Sequence, residues 1–239
     1  MKTILSIIYL LSFTTIFCQE KLKIEYEFRN EFDFEKTTNQ ISKEIYKNSN
    51  DNRLYFELIT SKNESTFNKI DRVDNSQNKS GASISFVSGP GGFYYKNIKE
   101  KYSLSEINYN NKNLLIYDSI KQMKWILKKE YTKILGFDVK KAILQESENT
   151  FIEAWYAPKL DFKNGPTNYD GLPGVILKLT IINKDGNQEN KQIYSAIKVN
   201  VSDKFKISKP IKGKQLNQTD FDKMIQKDNI NFNETFLQK

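Results

Sequence analysis

Histidine is absent from the 239 residues, and cysteine occurs once, at position 18. Without histidine there is no Ser-His-Asp triad and no imidazole-ligated zinc; without a cysteine beyond position 18 there is no thiol nucleophile and no thiolate metal site in the body of the chain. A disulfide is excluded for the same reason, so stability has to come from burial and sheet hydrogen bonds. No serine stands in a Gly-x-Ser-x-Gly context. What remains open is carboxylate, lysine or tyrosine chemistry. No cofactor and no metal is expected. Glycine (10) and proline (5) are scarce as well, so their few clusters mark the corners of the fold.

Long apolar runs are also missing, with one exception at the start. Lys2 is followed by an apolar stretch from Ile4 to Phe17 and then by the polar Gln19-Glu20-Lys21. That run is too short to span a bilayer comfortably and reads as an export signal. The expected organisation is a signal peptide over 1–18 and a single β-rich domain over 19–239. Lipidation of Cys18 is the less favoured alternative, because Phe17 is bulky where a small residue is wanted. The expected location is the periplasm or the outer-membrane periphery. Loss of Lys2 with the signal leaves 36 basic against 29 acidic residues, a net +7. No block of like charge forms a dense patch, so nucleic acid is not an expected partner, while a membrane periphery stays open.

What the chain does have is aromatic residues, 13% against a hydrophobic content of 38%, the balance of a β-rich domain with a modest core. "KLKIEYEF" places Leu22, Ile24, Tyr26 and Phe28 on one face, and Phe32 and Phe34 extend the pattern. "RLYFELIT" repeats the alternation. Residues 36–52 read as a polar loop with at most one helical turn, and "STFNKI" as an edge strand in a polar segment. "ASISFV" and "GFYYKN" flank a turn over 88–92. "NLLIYDSI" is a further strand, and Met123, Trp125 and Leu127 alternate with Lys124, Ile126 and Lys128 in the next. Two hairpins follow, one around Ser147-Glu148-Asn149 and one around Asp185-Gly186, the strongest short-range turn signal in the chain. A C-terminal helix is expected near 219–228, capped by Thr219, with Phe221, Met224 and Ile225 on one face. The fold class is mainly β: a large curved antiparallel sheet or half-barrel with one or two helices.

The densest cluster of corner residues is "GPTNYDGLPGVILKL", Gly165 to Leu179. Leu172-Pro173-Gly174-Val175 has the pattern of a type II turn, with Gly174 at positive φ and Gly171 allowing close backbone approach. The strand it launches should place Val175, Leu177, Leu179 and Ile181 on one face. Upstream, Trp155 and Tyr156 end a strand before Pro158 and point to opposite faces, one into the core and one over the following loop. The binding candidates are therefore Trp155, Tyr156, Tyr169 and Asp170. Asp170 has Asp161, Glu153 and Asp138 near it in sequence, and a pair of carboxylates could run acid-base chemistry or hold a hard cation. Asp before Gly is equally an ordinary turn residue.

These residues resemble the GLPGLI family of exported Gram-negative envelope proteins. Gly171, Leu172, Pro173 and Gly174 stand in the naming motif, with Val175 where Leu is usual; Gly165-Pro166 matches the preceding Gly-Pro. Gly136 opens an element similar to the family's Gly-aromatic-x-Cys-x-Lys-Ala, with Val139 in place of the cysteine. The family carries no assigned reaction. The resemblance implies a curved-sheet fold like that of exported lipid-handling proteins, which is a fold-level analogy. Two functions stay open. One is a non-catalytic envelope protein binding an apolar ligand or a partner protein. The other is a carboxylate-dependent hydrolase acting on envelope glycan or peptide, with Asp170 as acid or base. A structural accessory subunit is a third.

Overall fold

The computed structural model describes residues 20–33, 39–71, 92–186 and 188–237, side chains of 229–237 excepted. The export signal over 1–18, Phe34, the "ASISFV" strand and most of the turn over 88–92 lie outside these residues. β1 (Lys21–Glu31) leads through α1 (Gln40–Asp51) to β2 (Leu54–Thr60) and β3 (Glu64–Ile70). β4 (Phe93–Asn97), β5 (Tyr102–Tyr109) and β6 (Lys112–Ser119) form a meander, as do β7 (Ile126–Ile134), β8 (Phe137–Gln145) and β9 (Thr150–Ala157). β10 (Val175–Asp185), β11 (Gln188–Ser202), β12 (Lys214–Asn217) and α2 (Gln218–Leu237) complete the chain. Among the described residues all twelve strands join one sheet, ordered β12-β6-β5-β4-β3-β2-β1-β11-β10-β9-β8-β7. The sheet is open: β12 and β7 are its two edges. Every pairing is antiparallel except β12 on β6, which is parallel.

The alternation in β1 is the spine of the core. Leu22, Ile24, Tyr26 and Phe28 are buried, and the residues between them are half-buried. Their cross-strand partners on β2 and β11 continue the same inner face: Leu58 opposite Ile24, Phe56 opposite Tyr26, Tyr194 opposite Phe28. Phe56 stacks on Phe67, centroids 5.2 Å apart, and Tyr194 meets both edge-on. Aromatic rings fill much of this core, each burying more area than an aliphatic residue would.

Both expected hairpins are present, and Gly186 takes φ 56 in the second. Four local expectations change. Residues 40–51 form a helix, not a loop. Asn39 caps it by accepting from Ser42 N, and Tyr46 stacks on Phe32 at 5.0 Å. No residue of α1 is fully buried, and its apolar side is limited to Ile41, Ile45 and Tyr46 among polar residues, so the polar composition masks the helix. "STFNKI" is an interior strand between β2 and β4. The strand around Trp125 starts only at Ile126, after which β7 is exposed almost throughout. α2 starts at Gln218, with Asn217 accepting from Asp220 N, so Asn217 takes the capping role expected of Thr219. Phe221, Met224 and Ile225 do share a face, sealing Leu114 and Ile116 of β6.

Two further layers cover the sheet. The segment 203–213 crosses the outer face at β4 to β6, where Ile207 packs on Tyr95, Tyr102, Leu104 and Leu115. The connection from β9 to β10, residues 158–174, folds over the inner face, and Phe162, Tyr169 and Leu172 are part of the main core.

Candidate functional site

The site is the place where the 158–174 connection meets the sheet. One rung of the inner face runs in register across three strands: Thr60 on β2 stands opposite Ser65 on β3, and Ser65 opposite Lys96 on β4. The neighbouring rung, Leu58, Phe67 and Tyr94, carries hydrophobic side chains. The polar rung is buried throughout, with Thr60 0%, Ser65 1% and Lys96 4% exposed. Such groups destabilise a core unless they are hydrogen-bonded, and here the connection supplies the partners. Asn164 Nδ2 donates to Thr60 Oγ1 at 2.8 Å, and Ser65 Oγ donates to Asn164 Oδ1 at 3.3 Å. Lys96 Nζ donates to Asp170 Oδ2 at 3.1 Å and reaches Tyr169 O at 3.5 Å. Asn164 and Asp170 are themselves bridged across the connection. Trp125 Nε1 donates to Asp170 O at 2.8 Å, so the residue is held from both sides.

The glycines explain how the chain lies so close. A Cβ at Gly165 would stand 2.6 Å from Ile176 Cδ1, and one at Gly174 would stand 2.2 Å from Ala157 O. Gly174 is at positive φ, 144°, as expected. The turn itself differs from the type II expectation. Gly174 N bonds Leu172 O at 2.8 Å, and Val175 N goes to Leu160 O at 3.1 Å. Tertiary bonding has taken the amide that would have closed the turn. Gly171, expected to permit close approach, has open space where a Cβ would stand; its φ of 84° is what calls for glycine. Pro166 and Leu172 are buried and Pro173 is exposed. Gly136, at φ 82°, closes the β7–β8 hairpin beside Leu135 at φ 50°. Two successive positive-φ residues match the primed turns that suit a twisted hairpin.

The launched strand is buried as expected, but its faces differ from simple alternation. The register shifts between Ile176 and Lys178, so Ile176, Leu179 and Ile181 stand opposite Tyr156, Ala154 and Ile152 on the inner face. Tyr26 OH donates to Ile176 O at 2.6 Å at that break in the ladder. A bulge is a tertiary feature, and period-two reading has no access to it.

The four binding candidates separate. Tyr156 is in the core at 3% exposure. Trp155 points to the opposite face, as expected, but lies on the outer surface and not over the loop. Its Nε1 donates to Glu153 at 3.0 Å, and Lys141 Nζ stands 5.7 Å from its ring. Contacts with Glu153 first and Glu130 second push the Lys141 ammonium above its ordinary range. Tyr169 is buried, edge-on to Trp125 at 6.4 Å, and its hydroxyl reaches Glu146 at 3.3 Å. Burial, then the Glu146 carboxylate, push its phenol well up. Asp170 is 8% exposed and paired with Lys96.

The carboxylates near Asp170 in sequence do not gather around it. Asp161 pairs with Lys62 at 3.2 Å, and Glu153 with Lys141 at 3.0 Å. Asp138 sits between Lys159 at 3.2 Å and Lys133 at 3.5 Å; the Lys159 contact, then Lys133, hold it below the ordinary carboxylate range. No Ser-x-x-Lys pair is expected, yet Ser195 to Lys198 has that spacing; it lies on strand β11, and Lys198 faces Glu25 at 3.8 Å. The residue that sequence reasoning missed is Lys96. It is one lysine among many, 74 positions from its partner, and no local pattern marks it.

The arrangement defines a class: an open antiparallel sheet whose inner face is sealed by its own Gly-Pro connection. Residues 107–178 match the model of a family described as "Protein of unknown function (Porph_ging)". That stretch includes Gly136, Gly165-Pro166 and the 171–177 corner. No curated protein matches the chain. Among solved structures the chain is similar to PNGF-II in two crystal forms, at 19% and 20% identity and TM-scores of 0.55 and 0.56. In both cases 87% of this chain is covered but 33% of the other, so the chain spans about a third of that protein's length. The likeness is one of fold. An uncharacterised conserved protein from Thermus thermophilus is similar at 8% identity, covering 83% of this chain and 90% of that one, with a TM-score of 0.41.

Proposed function

We propose that the protein is a non-catalytic, GLPGLI-type envelope protein that acts by docking on another protein. The observation that carries this reading is the 158–174 connection itself. It fills the inner face, where an apolar ligand would otherwise sit, and it engages the Asp170 carboxylate with Lys96. A hydrolase using Asp170 would need that carboxylate facing a substrate. A partner protein is therefore favoured over both an apolar ligand and a carboxylate reaction.

The surface that supports docking is the β7 edge. Ile126 (56%), Leu127 (56%) and Tyr131 (65%) are exposed there, and Leu135 (47%) is exposed at the hairpin tip. Lys128, Lys129 and Lys133 lie among them. The edge is basic, and its pairing with β8 slips between Leu127 and Tyr131. Lysines and bulges are the usual guards against pairing with an identical edge. The reading is therefore an acidic partner of another kind, met at the envelope periphery to which the N-terminal signal would send the chain. A photo-crosslinker at position 131 in intact cells is expected to give one discrete protein adduct. The Leu127→Ser/Tyr131→Ser variant of the same edge is expected to keep its stability within about 0.5 kcal/mol and to lose adducts from a crosslinker at position 129. Lipid adducts alone, or none, would overturn the docking reading.

A further inference from the structure

We propose that the outer face of β5 and β6 carries a separate binding site, a cleft that takes a neutral hydroxylated ring of the carbohydrate class. The cleft has a volume of about 390 Å³ and lies between the 203–213 segment and the tyrosine-rich face of the sheet. That volume falls within the range of small-ligand sites, about 300–1,000 Å³. Its floor is a stacked pair, Tyr102 and Tyr117, with centroids 5.5 Å apart and planes 21° from parallel. The inner ring is covered; Tyr117 stays 41% exposed.

The platform is held before any ligand arrives. Lys209 Nζ stands over the Tyr102 ring, 5.0 Å from its centroid, within cation–π range. Tyr95 lies tilted against Tyr102 at 6.1 Å, and its hydroxyl donates to the Glu64 carboxylate. Chain segments far apart in sequence thus fix the Tyr102 ring, so less rotamer freedom is lost on binding.

Glu100, Lys209 and Gln215 stand around this flat apolar surface. Together they supply carboxylate acceptors, ammonium donors and an amide with both functions. A flat C–H face with hydroxyls at its edge satisfies both parts of such a site. A purely aliphatic ligand would leave the rim groups desolvated without partners. One acid and one base at the rim leave no net charge to select a polyanion. If Tyr117 served only to seal the 203–213 segment, that segment would cover it, and it does not.

The test uses the full chain and saturation-transfer NMR with cellobiose, maltose and N,N′-diacetylchitobiose, with p-cresol as an aromatic probe. At least one disaccharide is expected to receive saturation at its ring C–H protons. Tyr117→Ala should weaken that binding about tenfold or more, the scale of one lost ring contact, while Tyr117→Phe keeps it. Gln215→Ala removes a rim group without touching the platform and should also weaken binding, which keeps the test decisive if Tyr117→Ala folds poorly. Silence from all three disaccharides, binding of p-cresol alone, or disaccharide binding untouched by these variants would overturn the site.

Discussion

Gly174 and Gly171 stand three residues apart, and both carry positive φ, yet they do different work. At Gly174 a Cβ would collide with the Ala157 carbonyl at 2.2 Å, and backbone cannot step aside cheaply. At Gly171 there is open space, and only the left-handed conformation opposes a side chain. Gly171→Ala should therefore lose about 1–2 kcal/mol and Gly174→Ala at least about 3 kcal/mol, compared by chemical denaturation. Equal losses would mean that the close approach to Ala157 is not rigid. The need for glycine at both positions was legible in the sequence; which need applied to which glycine was not. Asp170 shows the same limit. Its place in a turn could be read, but its partner Lys96 on β4 is brought to it by the five strand pairings that separate β10 from β4, which no short pattern encodes.

At the scale of elements, legibility follows how each element buries its residues. β1 is apolar on one face and charged on the other, so its strand character and inner face are both plain in "KLKIEYEF". α1 buries no residue fully and is held at the end of β1 by the Tyr46–Phe32 stack and by polar side chains: Asn30 Nδ2 donates to Ser49 Oγ at 3.2 Å, and Asn50 bonds both backbone groups of Phe32. Its apolar side is only Ile41, Ile45 and Tyr46, a stripe too short and too diluted by polar residues to stand out in the sequence. β7 carries apolar residues that look like core positions in sequence and are exposed in the structure, because among the described residues no strand lies beyond it. That mismatch is the observation on which the proposed docking role of the edge rests. An unchanged stability in the Leu127→Ser/Tyr131→Ser variant is the result expected of a docking edge and not of a packed one.

The whole molecule is an open sheet closed by its own connections. The 158–174 connection leaves β9 and bonds to β2, β3 and β4, on the far side of β1, β11 and β10 in the strand order. One consequence follows from the phenols beneath it. Burial pushes Tyr26, Tyr169 and Tyr194 above the usual value of 10.0. A group whose pKa is raised by folding holds its stabilisation below the unfolded value and loses it as pH climbs toward the folded one. Stability should therefore fall above about pH 10, approaching about 4 kcal/mol per pH unit if all three phenols resist ionisation. Urea titrations from about pH 9 to about pH 11.5 would measure the slope, and a flat profile would place these rings in water.

The central claim is that Asp170 is a fastening point for this connection. A double-mutant cycle on Lys96→Met and Asp170→Asn tests it most directly. Each single variant should lose about 3–5 kcal/mol, because each leaves a buried partner uncompensated. The double variant should lose no more than the worse single. Losses that simply add, or an Asp170→Asn protein that keeps its stability and loses an activity, would contradict the account.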